Sequence, residues 1–533
     1  MNQFDYVIVG GGSAGSVLAG RLSEDPNVRV ALLEAGGPDA SVLIHCPAGL
    51  AVMAQTGHAN WALTTTPQAG LNGRRGYQPR GKVLGGSSSI NAMIYARGHR
   101  ADYDHWAALG NPGWSFDEVL PYFKKSEHNS RGADPFHGDS GPLAVSDLRS
   151  PNPYTERFVQ AAVQAGFAHN EDFHGPSQEG VGIYQVTHRN GERWSAAKGY
   201  LTPHKSRPNL QVITHAQVSR ILFEGRRAMG VEYLHQGHLH TCMAHREVLL
   251  SAGAIHSPQI LLRSGVGDGT HLQQHGIALA HHLPGVGMHL HDHPDVVQVY
   301  DAPQATDLLG VSVRGMAKAV KGIFEWRAQR TGLLTTNFAE GGGFIKSSPE
   351  QDIPDLQLHF VVGKLIDHGR KPVWGHGFSC HVCVLRPQSR GSVRLASPRI
   401  EDAPLIDPAF LSAPDDVHKL VLGFKHMRRI LQAPALASAM GRELSSASAQ
   451  TDGQIEQYIR DHADTIYHPV GSCRMGTGAT DVVDAQLRVH GIQNLRVVDA
   501  SIMPRIVGGN TNAPTIMIAE KAVDMIRSAH RAH

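Results

Sequence analysis

Three glycines spaced Gly10-x-Gly12-x-x-Gly15, with Glu34 about twenty residues further on, are residue types that could hold a dinucleotide. A side chain at Gly10 would spoil the tight turn, one at Gly12 would hold a pyrophosphate away, and one at Gly15 would push a helix off its sheet. Ser13 and Ala14 would then open a helix whose first N–H groups face the phosphates. Glu34, followed by Ala35, is placed to accept hydrogen bonds from the adenosine ribose hydroxyls, which points to an unphosphorylated ribose, hence FAD or NAD. The motif alone does not separate the two. The chain also carries 34 histidines, so any one of them is by default a surface or packing residue. His289, His291 and His293 alternate, and Cys380-His381-Val382-Cys383 is a second cluster that could suggest a metal. Alternate residues share one strand face as readily as one ion, and no further ligand cluster sits nearby in the sequence, so no metal is expected.

The elements around these residues fit the dinucleotide reading. An apolar run at Tyr6–Val9, the glycine turn, a helical pattern over Ser16–Ser23 and a second apolar run at Val28–Leu33 read as a βαβ unit. From about residue 296 to 465 the pattern changes. Alternating segments such as Leu356–Val362 and Ser379–Leu385 are mixed there with loops and helix-like stretches, as in a domain that covers a substrate. Leu495–Val498 is a buried-strand candidate and Thr515–Ile526 is apolar at helical spacing, so the chain is expected to return to its first domain. Gly341–Gly343 and Gly508–Gly509 read as local turns, and no internal repeat is found.

Composition narrows the class. A chain of 533 residues exceeds one simple core, so two domains built from non-contiguous segments are expected. A formal charge of +2 argues against a nucleic-acid partner. Cys46, Cys242, Cys380, Cys383 and Cys473 are few and scattered, as in a cytoplasmic protein with reduced thiols. The strand-like run from Asp5 leaves no room for a secretion signal, and no apolar stretch reaches the roughly 20 residues of a membrane span. A cytoplasmic location follows as the expectation, with peripheral contact at the inner face of the membrane left open.

Five segments carry a family resemblance. Gly81-Lys-Val-Leu-Gly-Gly-Ser-Ser-Ser-Ile-Asn-Ala-Met-Ile-Tyr95 resembles the first signature of the glucose-methanol-choline (GMC) oxidoreductases, and Gly253-Ala-Ile-His-Ser-Pro-Gln-Ile-Leu-Leu-Arg-Ser-Gly-Val-Gly267 the second. Val286–His293, Tyr467–Gly476 and Val498–Pro504 with Gly509–Asn512 continue the match over nearly the full length. Within the family the motifs are nearest to bacterial alcohol dehydrogenases of alkane oxidation and to choline dehydrogenases.

The resemblance implies an α/β fold with a Rossmann-like FAD-binding domain from 1–158, 200–293 and 466–533. An inserted α+β substrate domain, built on an antiparallel sheet, would take 159–199 and 294–465. It implies that Gly85, Gly86, Ser87, Asn91, Ala92 and Ile94 line the flavin and pyrophosphate, that Val218 meets the adenine through its backbone, and that Asp499, Ala500 and Thr511 lie against the isoalloxazine. Ile90 stands where some choline oxidases carry a histidine bonded to the flavin, so the FAD is expected to be non-covalent. His289 stands where the family usually has asparagine.

The resemblance also puts His468 in the place of the catalytic base, with Asn510 beside it. Flavin-dependent alcohol oxidation needs such a base, because a neutral alcohol is a poor hydride donor until its hydroxyl proton is removed. An amide at Asn510 would donate to the same oxygen. The substrate is expected to be a neutral primary alcohol oxidised to its aldehyde, with choline as the alternative. Asp295 or Glu340, with an aromatic such as Phe338 or Trp374, would then hold the ammonium. A hydroxynitrile lyase that keeps FAD without redox use is a further reading, as is a flavin-stabilised binding protein. Oxygen, a quinone or a carrier protein are the electron acceptors such chemistry admits.

Overall fold

The computed structural model describes residues 3–437 and 439–531. Its first layer is a seven-stranded sheet in the order Leu210–Ile213, Val30–Leu33, Gln3–Val9, His238–Leu250, Arg227–His235, Ala216–Glu224, with Leu495–Val497 also paired to His238–Leu250. The four parallel pairings centre on apolar, buried stretches, Val30–Leu33 beside Val7–Val9 and the latter beside Val248–Leu250, as expected of strands covered on both faces. His238–Leu250 belongs to two arrangements. Its first half closes an antiparallel meander with Arg227–His235, and its second half lies between the first strand and the strand from the C-terminal region. The βαβ unit is present as Gln3–Val9, helix Ser13–Leu22 and Val30–Leu33, and the return of the chain as Leu495–Val497 and helix Asn512–Arg531.

Helix Asn512–Arg531 packs on Ser13–Leu22 and on helix Phe116–Ser126. The three are tied by Glu520, fully buried, which accepts from Arg21 at 2.8 Å and from the Tyr200 hydroxyl at 2.8 Å, with Lys125 at 3.6 Å. A carboxylate in that position is tolerated because each of its partners reaches it from a different segment.

The second layer is an antiparallel sheet in the order Asp464–Thr465, Pro294–Asp301, Gly375–Val384, Leu356–Val361, Ala339–Ile345, Gly180–Ile183. Alternation decides its faces. Leu356, Leu358, Phe360, Phe378, Cys380 and Val382 form one core with helices Pro153–Gln164 and Pro414–Leu431. His359, Val361 and His381 point the other way, into a cavity. The break expected between residues 158 and 159 falls inside helix Pro153–Gln164, whose Tyr154 and Phe158 both pack in this second core.

Contrary to the expectation of a local turn, Gly341–Gly343 is extended; all three glycines lie in the strand Ala339–Ile345. A Cβ on Gly342 would meet the Tyr184 hydroxyl at 2.6 Å, and one on Gly343 the Val181 backbone at 2.7 Å, so close approach of neighbouring groups selects them. The five cysteines are all buried and unpaired. Cys380 and Cys383 sit in different cores on opposite faces of the sheet, which leaves them unable to share one ion.

Candidate active site

The glycine turn is built as the spacing requires. Gly10 has φ +97°, and a Cβ there would lie 2.6 Å from the Ser251 carbonyl; one on Gly15 would overlap the Gly10 carbonyl, so the helix can sit this close to the strand only without it. Gly12 caps helix Ser13–Leu22 and has no side chain to satisfy the first-turn N–H groups. A Cβ on Gly12 would point into open space, with Gly86 Cα at 3.9 Å its nearest neighbour.

The segment carrying Gly85–Gly86 crosses the end of this unit. Leu84 N–H donates to the Gly37 carbonyl at 3.0 Å and Gly85 N–H to the Gly11 carbonyl at 2.7 Å, which brings Gly86 against Gly12. Glu34 accepts from Gly11 N–H and Gly36 N–H, both at 2.8 Å. Burial pushes its carboxyl up to about 7, against the pull of those donors.

A single cavity of about 540 Å³ is lined both by this turn and by His468 and Asn510. Gly10, Gly12, Ser13, Ala14, Glu34, Ala35, Gly86, Ser87, Asn91, Ala92, Ile94, Val218, Asp499, Ala500 and Thr511 all lie on its wall. Gly15 and Gly85 do not; they hold the wall in shape. The Asp499 carboxylate accepts from Gly253 N–H, the Ser257 hydroxyl and Ser501 N–H, and so ties the central segment to the C-terminal one. An uncapped helix start, a wall of glycine where a Cβ would intrude and the buried Glu34 carboxyl on the same wall fit an FAD.

Burial sets the electrostatics around His468. Its imidazole is held well below the usual histidine range, first by desolvation and then by His293, His359 and Arg80 nearby, so the ring is neutral at ordinary pH. The backbone before it is strained: Tyr467 has φ +74°. That conformation is held from several sides. Arg80 donates to the Tyr467 carbonyl at 2.8 Å, the Tyr467 hydroxyl is 2.6 Å from His368 Nδ1, and Asp292 accepts from His468 N–H at 2.9 Å. Gly471, at φ +88°, lets the turn after His468 pass the His289 carbonyl, which a Cβ would meet at 2.6 Å.

The tautomer of His468 follows from its neighbours. His293 Nε2 lies 3.0 Å from the Leu385 carbonyl, which can only accept, so Nε2 carries the His293 proton and Nδ1 is left as an acceptor. His468 Nδ1 lies 3.1 Å from His293 Nδ1 and must therefore donate to it. The lone pair of the His468 ring is then on Nε2, where it accepts from Asn510 Nδ2 at 3.1 Å. Gln357 Nε2 donates to Asn510 Oδ1 at 3.0 Å, which fixes the amide with its NH₂ toward the imidazole.

Sequence reasoning missed His293 and Gln357 as members of this site. His293 is visible in the sequence only as one of three alternating histidines, whose rings turn out to be separately engaged. His289 Nε2 is 3.2 Å from the Thr480 hydroxyl, and His291 spans the His289 carbonyl at 2.7 Å and Ile506 N–H at 2.9 Å.

Two carboxylates expected near the pocket are placed elsewhere. Glu340 is fully buried and accepts from Asn152 N–H and the Thr155 and Thr336 hydroxyls; it faces helix Pro153–Gln164 and is absent from the cavity wall. Asp295 is covered by His381, whose Nδ1 lies 2.6 Å from its Oδ2, and it is the His381 ring that meets the cavity. Phe338 lines the cavity, whereas Trp374 lies outside it and is 65% exposed. Both ring nitrogens of the buried His359 have no protein partner among the described residues, and His359 sits on the cavity wall. Buried polar atoms in that state call for a bound polar group or water. Around them the wall is apolar, with Ile94, Leu309, Phe338, Val361, Leu365 and Ile466.

A dinucleotide turn and a neutral imidazole whose basic nitrogen is held by the Asn510 amide, together on one cavity wall, are the elements of a cofactor-dependent oxidoreductase. Residues 4–295 and 387–519 match the models of the N- and C-terminal parts of the GMC oxidoreductases. The chain is 50% identical to alcohol dehydrogenase [acceptor] of Pseudomonas putida over 529 residues, 98% of this chain and 96% of that one. It is 45% identical to the mitochondrial choline dehydrogenase of Homo sapiens over 536 residues, 99% of this chain and 90% of the other. Among solved structures, pyridoxine 4-oxidase from Mesorbium loti superposes with a TM-score of 0.89 at 32% identity, covering 99% of this chain and all of that one. The chain belongs to the GMC oxidoreductase family and binds FAD.

Proposed function

We propose that the protein is an FAD-dependent dehydrogenase that oxidises a neutral primary aliphatic alcohol to its aldehyde, with His468 as the base and Asn510 as the donor to the substrate oxygen. The observation that carries this reading is the lone pair on His468 Nε2, fixed there by the His293 relay and accepting from the Asn510 amide at 3.1 Å, a hydrogen bond that an entering alcohol would replace. Residues 1–158, 200–293 and 466–533 are read as the flavin unit, and 159–199 with 294–465 as the substrate-covering unit. Gly10, Gly12, Ser13, Ala14 and Gly86 would hold the pyrophosphate, Glu34 the ribose, and Asp499, Ala500 and Thr511 the side of the ring system. With Ile90 at the covalent-attachment position, the cofactor would be held without a bond to the protein.

The bound flavin supplies the hydride acceptor. The alcohol hydroxyl enters between His468 and Asn510, donating its hydrogen bond to Nε2 and accepting one from the Asn510 amide. As the hydroxyl proton passes to His468 Nε2, the same carbon gives up its hydride and the C–O bond becomes a carbonyl. The His468 ring is then cationic, and its Nδ1–H bond to the neutral His293 and the Asp292 carboxylate at its backbone stabilise that charge. Burial favours the neutral ring beforehand, so the base is ready at ordinary pH.

A neutral substrate is favoured over choline because, among the described residues, no open carboxylate faces the apolar part of the cavity. Asp295 lies behind His381, and Glu340 is consumed by three donors of its own. Burying a quaternary ammonium without a charge partner is costly. Anaerobic mixing of the holoprotein with primary alcohols of increasing chain length and with choline, following loss of the oxidised-flavin absorbance, separates the readings. Bleaching by aliphatic alcohols but not by choline is expected; bleaching by choline alone would reverse the choice.

A further inference from the structure

Of the fourteen large apolar side chains exposed among the described residues, seven belong to one place: Val311, Val313, Met316, Val320, Ile323 and Phe324 on or beside helix Val313–Gln329, and Trp374 opposite them. Val313, Phe324 and Trp374 are 72%, 69% and 65% exposed. At 100° per residue, positions 313, 316, 317, 320 and 324 fall on one side of the helix. Arg314, Lys318 and Lys321 flank that side, while Gly315, Ala319, Gly322 and Trp326 turn inward.

The inner side is firmly seated. The Ser312 hydroxyl accepts from Gly315 N–H at 2.9 Å, and Trp326 Nε1 donates to the Gly191 carbonyl at 2.8 Å. Apart from Trp326, the residues on the packed side are small while the large apolar ones stand in the open, the reverse of an ordinary surface helix. Trp374 bridges to Val311, and Val311 lies on the wall of the cavity, so the apolar surface continues to the cavity mouth.

We propose that this surface docks the protein on an anionic lipid bilayer. Its charge supports that occupant. The helix carries Arg314, Lys318, Lys321 and Arg327 against the single carboxylate Glu325. Lys318 is paired with Asp307, but Arg314, Lys321 and Arg327 are exposed and make no ion pair among the described residues. An apolar strip bordered by unpaired cations is the pattern of a helix lying in the headgroup layer, where aliphatic side chains enter the acyl boundary and cations meet lipid phosphates. A protein partner of the same shape would instead need acidic residues around an apolar groove. This surface stands apart from the reading of the reaction, and either can fail without the other.

The test is sedimentation of the holoprotein with vesicles of phosphatidylcholine alone and of phosphatidylcholine mixed equally with phosphatidylglycerol. Strong binding to the mixed vesicles, weakened by salt, is expected. Phe324→Asp and Val320→Asp should each lower the partition coefficient by about tenfold or more, and Arg314→Glu with Lys321→Glu should remove the preference for the anionic lipid. Phe324→Ala serves as a milder variant, and retained flavin with the wild-type absorbance spectrum and Tm shows that each variant is folded. Wild-type protein that stays in the supernatant, or variants that bind as wild type does, would overturn the proposal. A concentration-dependent dimer without lipid, abolished by Phe324→Asp, would overturn it in favour of a second copy of the chain.

Discussion

His293 and His468, 175 residues apart in sequence, face each other Nδ1 to Nδ1 at 3.1 Å, and the Leu385 carbonyl on the far side of His293 decides which of the two donates. The direction of that one hydrogen bond leaves the lone pair of His468 on the nitrogen that lines the cavity. Removing His293 should therefore matter although it touches no substrate. His293→Ala is expected to lower the rate of flavin reduction by at least about tenfold, because the His468 ring is free to take the other tautomer. The alcohol concentration for half-saturation should change far less. An unchanged reduction rate would mean that His293 plays no part in orienting the base.

A second expectation separates Glu340 from substrate recognition. Its carboxylate accepts from three donors, and an amide in its place would turn two N–H groups toward them. Glu340→Gln should cost about 1–3 kcal/mol in stability, read as a lower Tm, while the preference between aliphatic alcohols and choline stays as in the wild type. A shift of that preference would return Glu340 to the pocket.

The cofactor gives a third. Denaturation of the purified protein should release the flavin into the filtrate, as expected with isoleucine at position 90. Gly12→Val should yield protein without FAD, since its side chain would occupy the opening in front of the helix start. Chromophore that stays with the denatured chain would contradict the first, and a yellow Gly12→Val protein the second.

How far these features are legible in the sequence differs from residue to residue. Gly10, Gly12, Gly15 and Glu34 are readable because their roles are local, fixed by spacing within one βαβ unit. The strands at Leu356–Val361 and Gly375–Val384 are readable from alternation. His468 and Asn510 come from the resemblance to a family, since nothing local separates them from other histidines and asparagines. The His293 relay and the Gln357 bond to Asn510 are contacts between distant segments, and a sequence does not display them. Gly341–Gly343 misleads for a related reason: a glycine run looks like a turn unless the groups pressing on it from Gly180–Ile183 and Tyr184 are known. Asp295 and Glu340 do lie in the sheet beside the pocket, but their partners His381, Thr155 and Thr336 decide whether a substrate can reach them.

The buried histidines make the fold sensitive to acid. Desolvation pushes His174 down to about 4 and His188, His256, His293 and His359 to about 3. Each has a folded pKa below its unfolded value of about 6.5, so its contribution is present above that pH and lost as pH falls, at about 1.4 kcal/mol per unit for each group. Glu34 and Asp292, raised by burial to about 7 and about 6, act in the opposite sense, as do Asp39, Asp295, Glu340 and Asp499, but they are outnumbered by the lowered histidines, which also include His45, His289, His291, His426 and His468. Tm should drop steadily between pH 7 and pH 5, and a Tm that holds or rises over that range would contradict this balance.

The role of His468 as base is tested most directly by single-turnover reduction of the flavin in His468→Ala. With alcohol added anaerobically, the variant should keep its FAD and its absorbance spectrum yet be reduced at least about a hundredfold more slowly than the wild type. Reduction at the wild-type rate would contradict that role, and with it the relay through His293.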